Sequence, residues 1–232
     1  MVEWLAVEAE VTHRRPRWRL VAWLGFVLAL AGLGYASRLG GEDPPDDLAY
    51  RYSSSIAAIV QYAIILGILL LIARGLPLRE TFALRRPASW PRALGFAGIA
   101  LIAIWIASAA LAPFLDANEE QGFVPDDWDS SRVGAFAAFF VAVAVIAPMV
   151  EELTYRGLGY FLLVPYGPWI AIVTTGVLFG AAHGLVVALP VLTVFGIAVG
   201  WVRAKTESVY PSMILHGIFN GVALLVSVAL AG

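Results

Sequence analysis

Residues 169–202 run for 34 consecutive positions without a formally charged side chain. As one helix, that run would be about 50 Å long at ~1.5 Å per residue. The hydrocarbon core of a bilayer is only ~30 Å thick. The run is therefore read as two spans, broken near Gly184 or Pro190. Further apolar segments fall at 20–36, 54–73, 93–115, 133–150 and 209–230. With 60% hydrophobic residues and a mean hydropathy of +0.82, the chain has more apolar surface than a water-soluble core of 232 residues can bury. Lipid must be the solvent. Backbone groups in lipid need internal partners, so the segments are helices. The expected fold is an all-α polytopic membrane protein with about seven transmembrane helices. The chain has no cysteine, which removes disulfides, thiolate nucleophiles and cysteine-ligated zinc. It has no basic stripe of the kind that tracks nucleic acid.

Charge collects in the connections, and unevenly. HRRPRWR precedes the first apolar segment, the stretch 74–92 holds five arginines, and WVRAKTES holds Arg203 and Lys205. Two acidic stretches alternate with these. GEDPPDD carries Glu42, Asp43, Asp46 and Asp47, and the stretch 116–132 carries six acids. Basic connections stay in the cytoplasm. That rule puts the N-terminus inside, both acidic loops outside, and Gly232 outside after seven spans. The Arg14–Arg15 pair also fits a twin-arginine signal. The topology nevertheless closes with the first segment kept as a helix. The expected organisation is a basic cytoplasmic tail over 1–19, transmembrane helices over 20–115 and a helical core over 133–230.

Within that core the stretch PMVEELTYRG is out of place. Of 17 acids in the chain, only Glu151, Glu152 and loop residue Glu207 follow position 133. His183, His216 and Asn220 lie in apolar segments, whereas His13 is in the tail. Ionisable groups at membrane depth are costly and mark sites or pathways. Glu152 and Arg156 are four apart, so they share a helix face and can pair. Glu151 is rotated by about 100° and must be answered from another helix. Phe179 with His183, and His216 with Asn220, repeat the four-residue spacing. A fourth helix running from about Val133 to Leu163, with VPYGP as the turn after it, brings these groups to one height. Gly176, Gly180 and Gly184, and Gly196 with Gly200, give small-xxx-small spacing and ordinary close packing. Trp169, Trp201 and Tyr210 read as interfacial anchors.

One carboxylate, two imidazoles and a carboxamide suit the activation of water. Glu151 would take its proton, and Asn220 with a histidine would hold an oxyanion. Glu151, His183 and His216 also make a zinc ligand set, although no HExxH is present. A proton or ion relay uses the same residue types, and so does structural polar packing. The residues alone leave these readings open.

Three motifs narrow the choice. EELTYR reads as EExxxR, FGAAH as FxxxH and HGIFN as HxxxN, in that order on successive apolar segments. The pattern resembles the CAAX protease and bacteriocin-processing (CPBP, or Abi) family of intramembrane glutamate endopeptidases. FALRRP and GWVRAKTESVYPSMILHGIFN are similar to the family as well, and the likeness is close over 133–225. It implies a catalytic helical core in the C-terminal half around a cytoplasm-facing cavity. Glu151 would be the base, His183 its partner, and His216 with Asn220 the oxyanion pair. Glu152, Arg156 and Phe179 would support them. The resemblance implies hydrolysis without a metal, with zinc on Glu151, His183 and His216 as the alternative. It implies a peptide or membrane-protein substrate, of CAAX or peptide-maturation type, and a multi-pass place in a bacterial plasma membrane. A non-enzymatic immunity or adaptor protein on the same fold is the competing reading.

Overall fold

A computed structural model describes residues 17–39, 45, 47–115 and 128–230. The tail up to residue 16 lies outside the described residues, as do Glu42, Asp43, Asp46, Asp116, Glu119, Glu120, Asp126 and Asp127. The described residues form helices and no strand. The main helices are α1 (Arg17–Leu39), α2 (Tyr52–Ile72), α3 (Trp90–Leu111) and α4 (Ser130–Tyr166). They are followed by α5 (Pro168–Ala182), α6 (Leu189–Thr206) and α7 (Tyr210–Leu230). The protein is all-α, as expected. Six of the helices are long and apolar enough to cross a membrane. The seventh expected segment, α5, is an apolar helix of only 15 residues, so the described residues give six full-length spans and one shorter helix.

The reason for its shortness lies at its end. Pro168 starts α5, where a missing N–H costs nothing. The helix stops at Gly184, whose φ of +66° suits glycine and strains other residues. A Cβ on Gly184 would lie 2.4 Å from the Gly34 carbonyl carbon, so α1 also fills the space ahead. The chain reverses there, and α6 begins with Pro190 in its first turn. The uncharged run is thus an α5–α6 hairpin, broken between the two residues that the sequence singles out.

That hairpin packs backbone to backbone. A Cβ on Gly196 would lie 2.6 Å from the Gly176 carbonyl oxygen, and one on Gly180 would lie 2.8 Å from Thr193 Oγ1. Gly196→Ala is expected to force the helices apart and cost about 1–3 kcal/mol. A thermal-unfolding midpoint equal to wild type in detergent would refute this.

α2 and α3 have no polar face, and Leu71, Ile102, Trp105 and Ile106 point outward. Helices apolar all round belong in lipid. Charge separates to the two ends of the bundle. At one end Arg19 donates to the carbonyls of Ile72 and Arg74. There, too, Arg85 pairs with Glu207, and the Ser208 hydroxyl donates to the Arg85 carbonyl. At the other end Asp47 pairs with Arg51 and Arg132, and Asp129 pairs with Arg132. Bonds from the Ser131 hydroxyl, and then from Arg132, hold the Asp129 carboxyl down at about 2. Asp129 therefore stays charged at any ordinary pH.

Arg203 needs a correction. The sequence groups it with the basic connections. In the structure it lies in the last turn of α6, buried, with its guanidinium over the Tyr160 ring and Nε donating to the Arg156 carbonyl.

Candidate active site

α4 carries both glutamates, and it is not a regular helix. Two π-helical stretches, Ala142–Ile146 and Leu153–Gly159, flank the α-helical segment Ala147–Glu152. Such stretches free carbonyls from the usual ladder and recur at functional sites. Pro148 explains the first. It has no N–H to offer, and its ring excludes the carbonyl four residues back. In π register the carbonyl left without a donor is that of Val143. The Asn220 carboxamide donates to it at 3.1 Å from α7. The second stretch is answered by side chains around it. Thr154 Oγ1 donates to the Val150 carbonyl, Trp23 Nε1 to Thr154, and Arg203 Nε to Arg156. Gly159 faces the Trp23 ring, which a Cβ would approach to 2.3 Å.

The two carboxylates then diverge, as their 100° separation requires. Glu152 is fully buried, and its Oε1 accepts from Arg156 Nη1 at 2.9 Å. Arg156 is equally buried, and its Nη2 reaches the Gly196 carbonyl at 2.6 Å. The pair is imperfect, because Glu152 Oε2 and Arg156 Nε have no partner. A buried ion pair with orphaned atoms is a poor device for stability alone.

Glu152 has a second task. His216 Nδ1 lies 3.0 Å from Glu152 Oε1, and His216 Nε2 lies 3.6 Å from Glu151 Oε2. The imidazole bridges the two carboxylates. Taking Nδ1 as the donor to Glu152, the hydrogen-bond network assigns Nε2 as the nitrogen turned to Glu151. Glu151 retains 17% side-chain exposure. Its Oε1 accepts from the Tyr62 hydroxyl of α2 at 2.5 Å.

Phe179 sits at the centre. Its ring lies under the Arg156 guanidinium at 4.7 Å and meets His183 at 4.7 Å and His216 at 5.5 Å between centroids. It also contacts Tyr155 and Phe195. The aromatic ring thus fixes Arg156 and separates the two histidines.

The predicted residues therefore come together unequally. Glu151, Glu152, Arg156, Phe179 and His216 form one cluster. Asn220 is one turn along α7, with one amide N–H committed to Val143. His183 caps α5, its Nδ1 lies 2.8 Å from the Phe179 carbonyl, and it makes no ion pair with Glu151. Among the described residues no group of three His, Asp or Glu is placed to hold a metal. Tyr62 has no place in the sequence reading. Its only sequence signal is that Gln61 and Tyr62 are the sole polar side chains over residues 56–72.

Fold and site together define a multi-pass helical membrane protein with a carboxylate–imidazole cluster buried among apolar helices. Residues 133–222, which carry that cluster except for Tyr62, match the family described as Type II CAAX prenyl endopeptidase Rce1-like. Over this stretch, rather less than half of its length, the chain is similar to that family. No curated protein and no solved structure gives a significant match.

Proposed function

We propose that the protein is an intramembrane endopeptidase in which Glu151 activates water against a peptide bond. The observation that carries this is a partly accessible carboxylate held by Tyr62 and His216 beside a buried ion pair, in a bundle of apolar helices. Glu151 takes a proton from water, and the resulting hydroxide adds to the carbonyl carbon. The tetrahedral oxyanion is met by the second amide N–H of Asn220 and by His216 Nε2 once that nitrogen also carries a proton. The C–N bond then breaks, and the amine leaves with the proton from Glu151. The products are one new carboxyl and one new amine.

His183 is the partner of Glu151 in this scheme. Its Nδ1 is engaged by the Phe179 carbonyl, which leaves Nε2 as the ring nitrogen free to act with Glu151. The chemistry draws on these side chains alone. Stoichiometric zinc in purified protein, with activity lost on chelation and restored by zinc, would overturn that part. The substrate is a membrane-borne peptide or protein of CAAX or peptide-maturation type. By the positive-inside rule, the arginine-rich end faces the cytoplasm of a bacterial cell, as does the N-terminus.

The test compares membrane and released peptides from cells carrying wild type or Glu151→Ala. Peptides whose new ends appear only with wild type are expected, and they name the substrate. Protection or partner binding that survives combined loss of Glu151, His183 and His216 would instead mark a non-enzymatic adaptor.

Tyr62 supplies a further check. Tyr62→Phe removes the donor to Glu151 and keeps the ring. A loss of about tenfold in kcat with KM little changed is expected, in line with a hydrogen bond to a charged group. An unchanged kcat would show that Tyr62 only packs.

A further inference from the structure

Two grooves are lined by neither carboxylate. Between α4 and α7 runs a furrow of about 340 Å³, lined by Ala144, Val145, Met149, Met213, Gly217 and Ile218. Met149 lies about 200° around α4 from Glu151. The floor is the close approach of α7 to Ala144, where a Cβ on Gly217 would lie 2.7 Å from the Ala144 carbonyl oxygen. At Met149, Met213 and Ile214 the furrow runs into a wider groove of about 880 Å³. Arg79, Arg85, Arg86, Trp90 and Tyr210 line that second part. Arg85 is partly neutralised by Glu207. Arg79 and Arg86 are exposed and have no ion-pair partner among the described residues.

We propose that this continuous groove binds an anionic phospholipid, with its phosphate on Arg79 and Arg86 and one acyl chain along the α4–α7 furrow. A guanidinium fork matches phosphate oxygens, and basic pockets beside membrane helices suit anionic head groups. Trp90 and Tyr210 have the amphipathic rings found at head-group level. The furrow itself selects lipid over peptide. No polar side chain lines it, so a peptide backbone laid there would leave its amides unsatisfied. Hydrocarbon needs no such partner. The occupied furrow presses on Gly217, next to His216, and so braces the helix that carries His216 and Asn220. The assignment needs membrane embedding only and stands apart from the hydrolytic reading.

The experiment uses the full chain in nanodiscs of phosphatidylcholine with a minor share of phosphatidylglycerol, and native mass spectrometry counts the lipids retained. Wild type is expected to hold phosphatidylglycerol roughly tenfold above its bulk share. Arg79→Gln with Arg86→Gln should bring retention down to the bulk share. Arg74→Gln with Arg92→Gln, an equal charge change outside the groove, should leave it enriched. Met149→Trp should block the furrow and lower retention with charge unchanged. Three results would overturn the site. One is the absence of enrichment in wild type, and another is equal loss in the control pair. The third is displacement of phosphatidylglycerol by a peptide with a free C-terminal carboxylate but not by its amide, which would make the groove a peptide subsite.

Discussion

Glu151→Gln is expected to lower kcat/KM for peptide hydrolysis by roughly 10³-fold, the scale of a lost general base. The substitution is close to isosteric, and the side-chain oxygen can still accept from Tyr62. Glu151 is also the less buried of the two glutamates. Abundance in the membrane and the unfolding midpoint should therefore match wild type. The measurement pairs a cleavage assay on a substrate found by peptidomics with quantitation of folded protein. Hydrolysis within tenfold of wild type would remove Glu151 from the role of base. Loss of folded protein in parallel with activity would show that the two carboxylates have been assigned backwards.

Glu152→Gln should do the opposite, and more. It strands a fully buried Arg156 without its counter-charge. Breaking a buried pair on one side costs about 3–5 kcal/mol, a large part of the ~5–15 kcal/mol that holds a domain together. Folded yield should collapse. The informative variant is the double change Glu152→Gln with Arg156→Met, which removes the stranded charge. It is expected to recover much of the yield, because a buried pair replaced by apolar packing is often near neutral. It should not recover activity, because His216 loses the carboxylate that anchors Nδ1. Recovery of both would mean that Glu152 has no task beyond neutralising Arg156.

The two glutamates show how far residue spacing reaches. Positions four apart predict the Glu152–Arg156 contact, because a helix fixes both ends of it. The same helical arithmetic sends Glu151 to another helix but cannot say which. The rotation and tilt of α2 and α7 decide that, and no local pattern encodes them. Tyr62 is therefore invisible in sequence. It lies 89 positions from its partner, in a helix without a motif. Asn220 makes one contact that spacing does not predict, for a different reason. Its spacing from His216 correctly puts both on one face of α7. The π register upstream of Pro148 then creates an orphan carbonyl at Val143 that regular 3.6-residue periodicity does not contain. Arg203 reads as a connection residue in the sequence because a positive charge at a span end fits a loop as well as an inward-turned position. Only the orphan carbonyl of Arg156 explains which it is.

The stretch that matches a known family begins at residue 133, but the forces that hold it in shape do not. Trp23 closes the Thr154 carbonyl, Tyr35 closes that of Leu185, and the backbone of Gly34 sits against Gly184. All three belong to α1, more than 90 positions upstream of the matched stretch. One of these contacts steadies the turn after Glu152, and two pin the bend that follows His183. The first helix thus acts as a splint laid along the half that carries the glutamates, and the border of sequence likeness is not a border of mechanical independence.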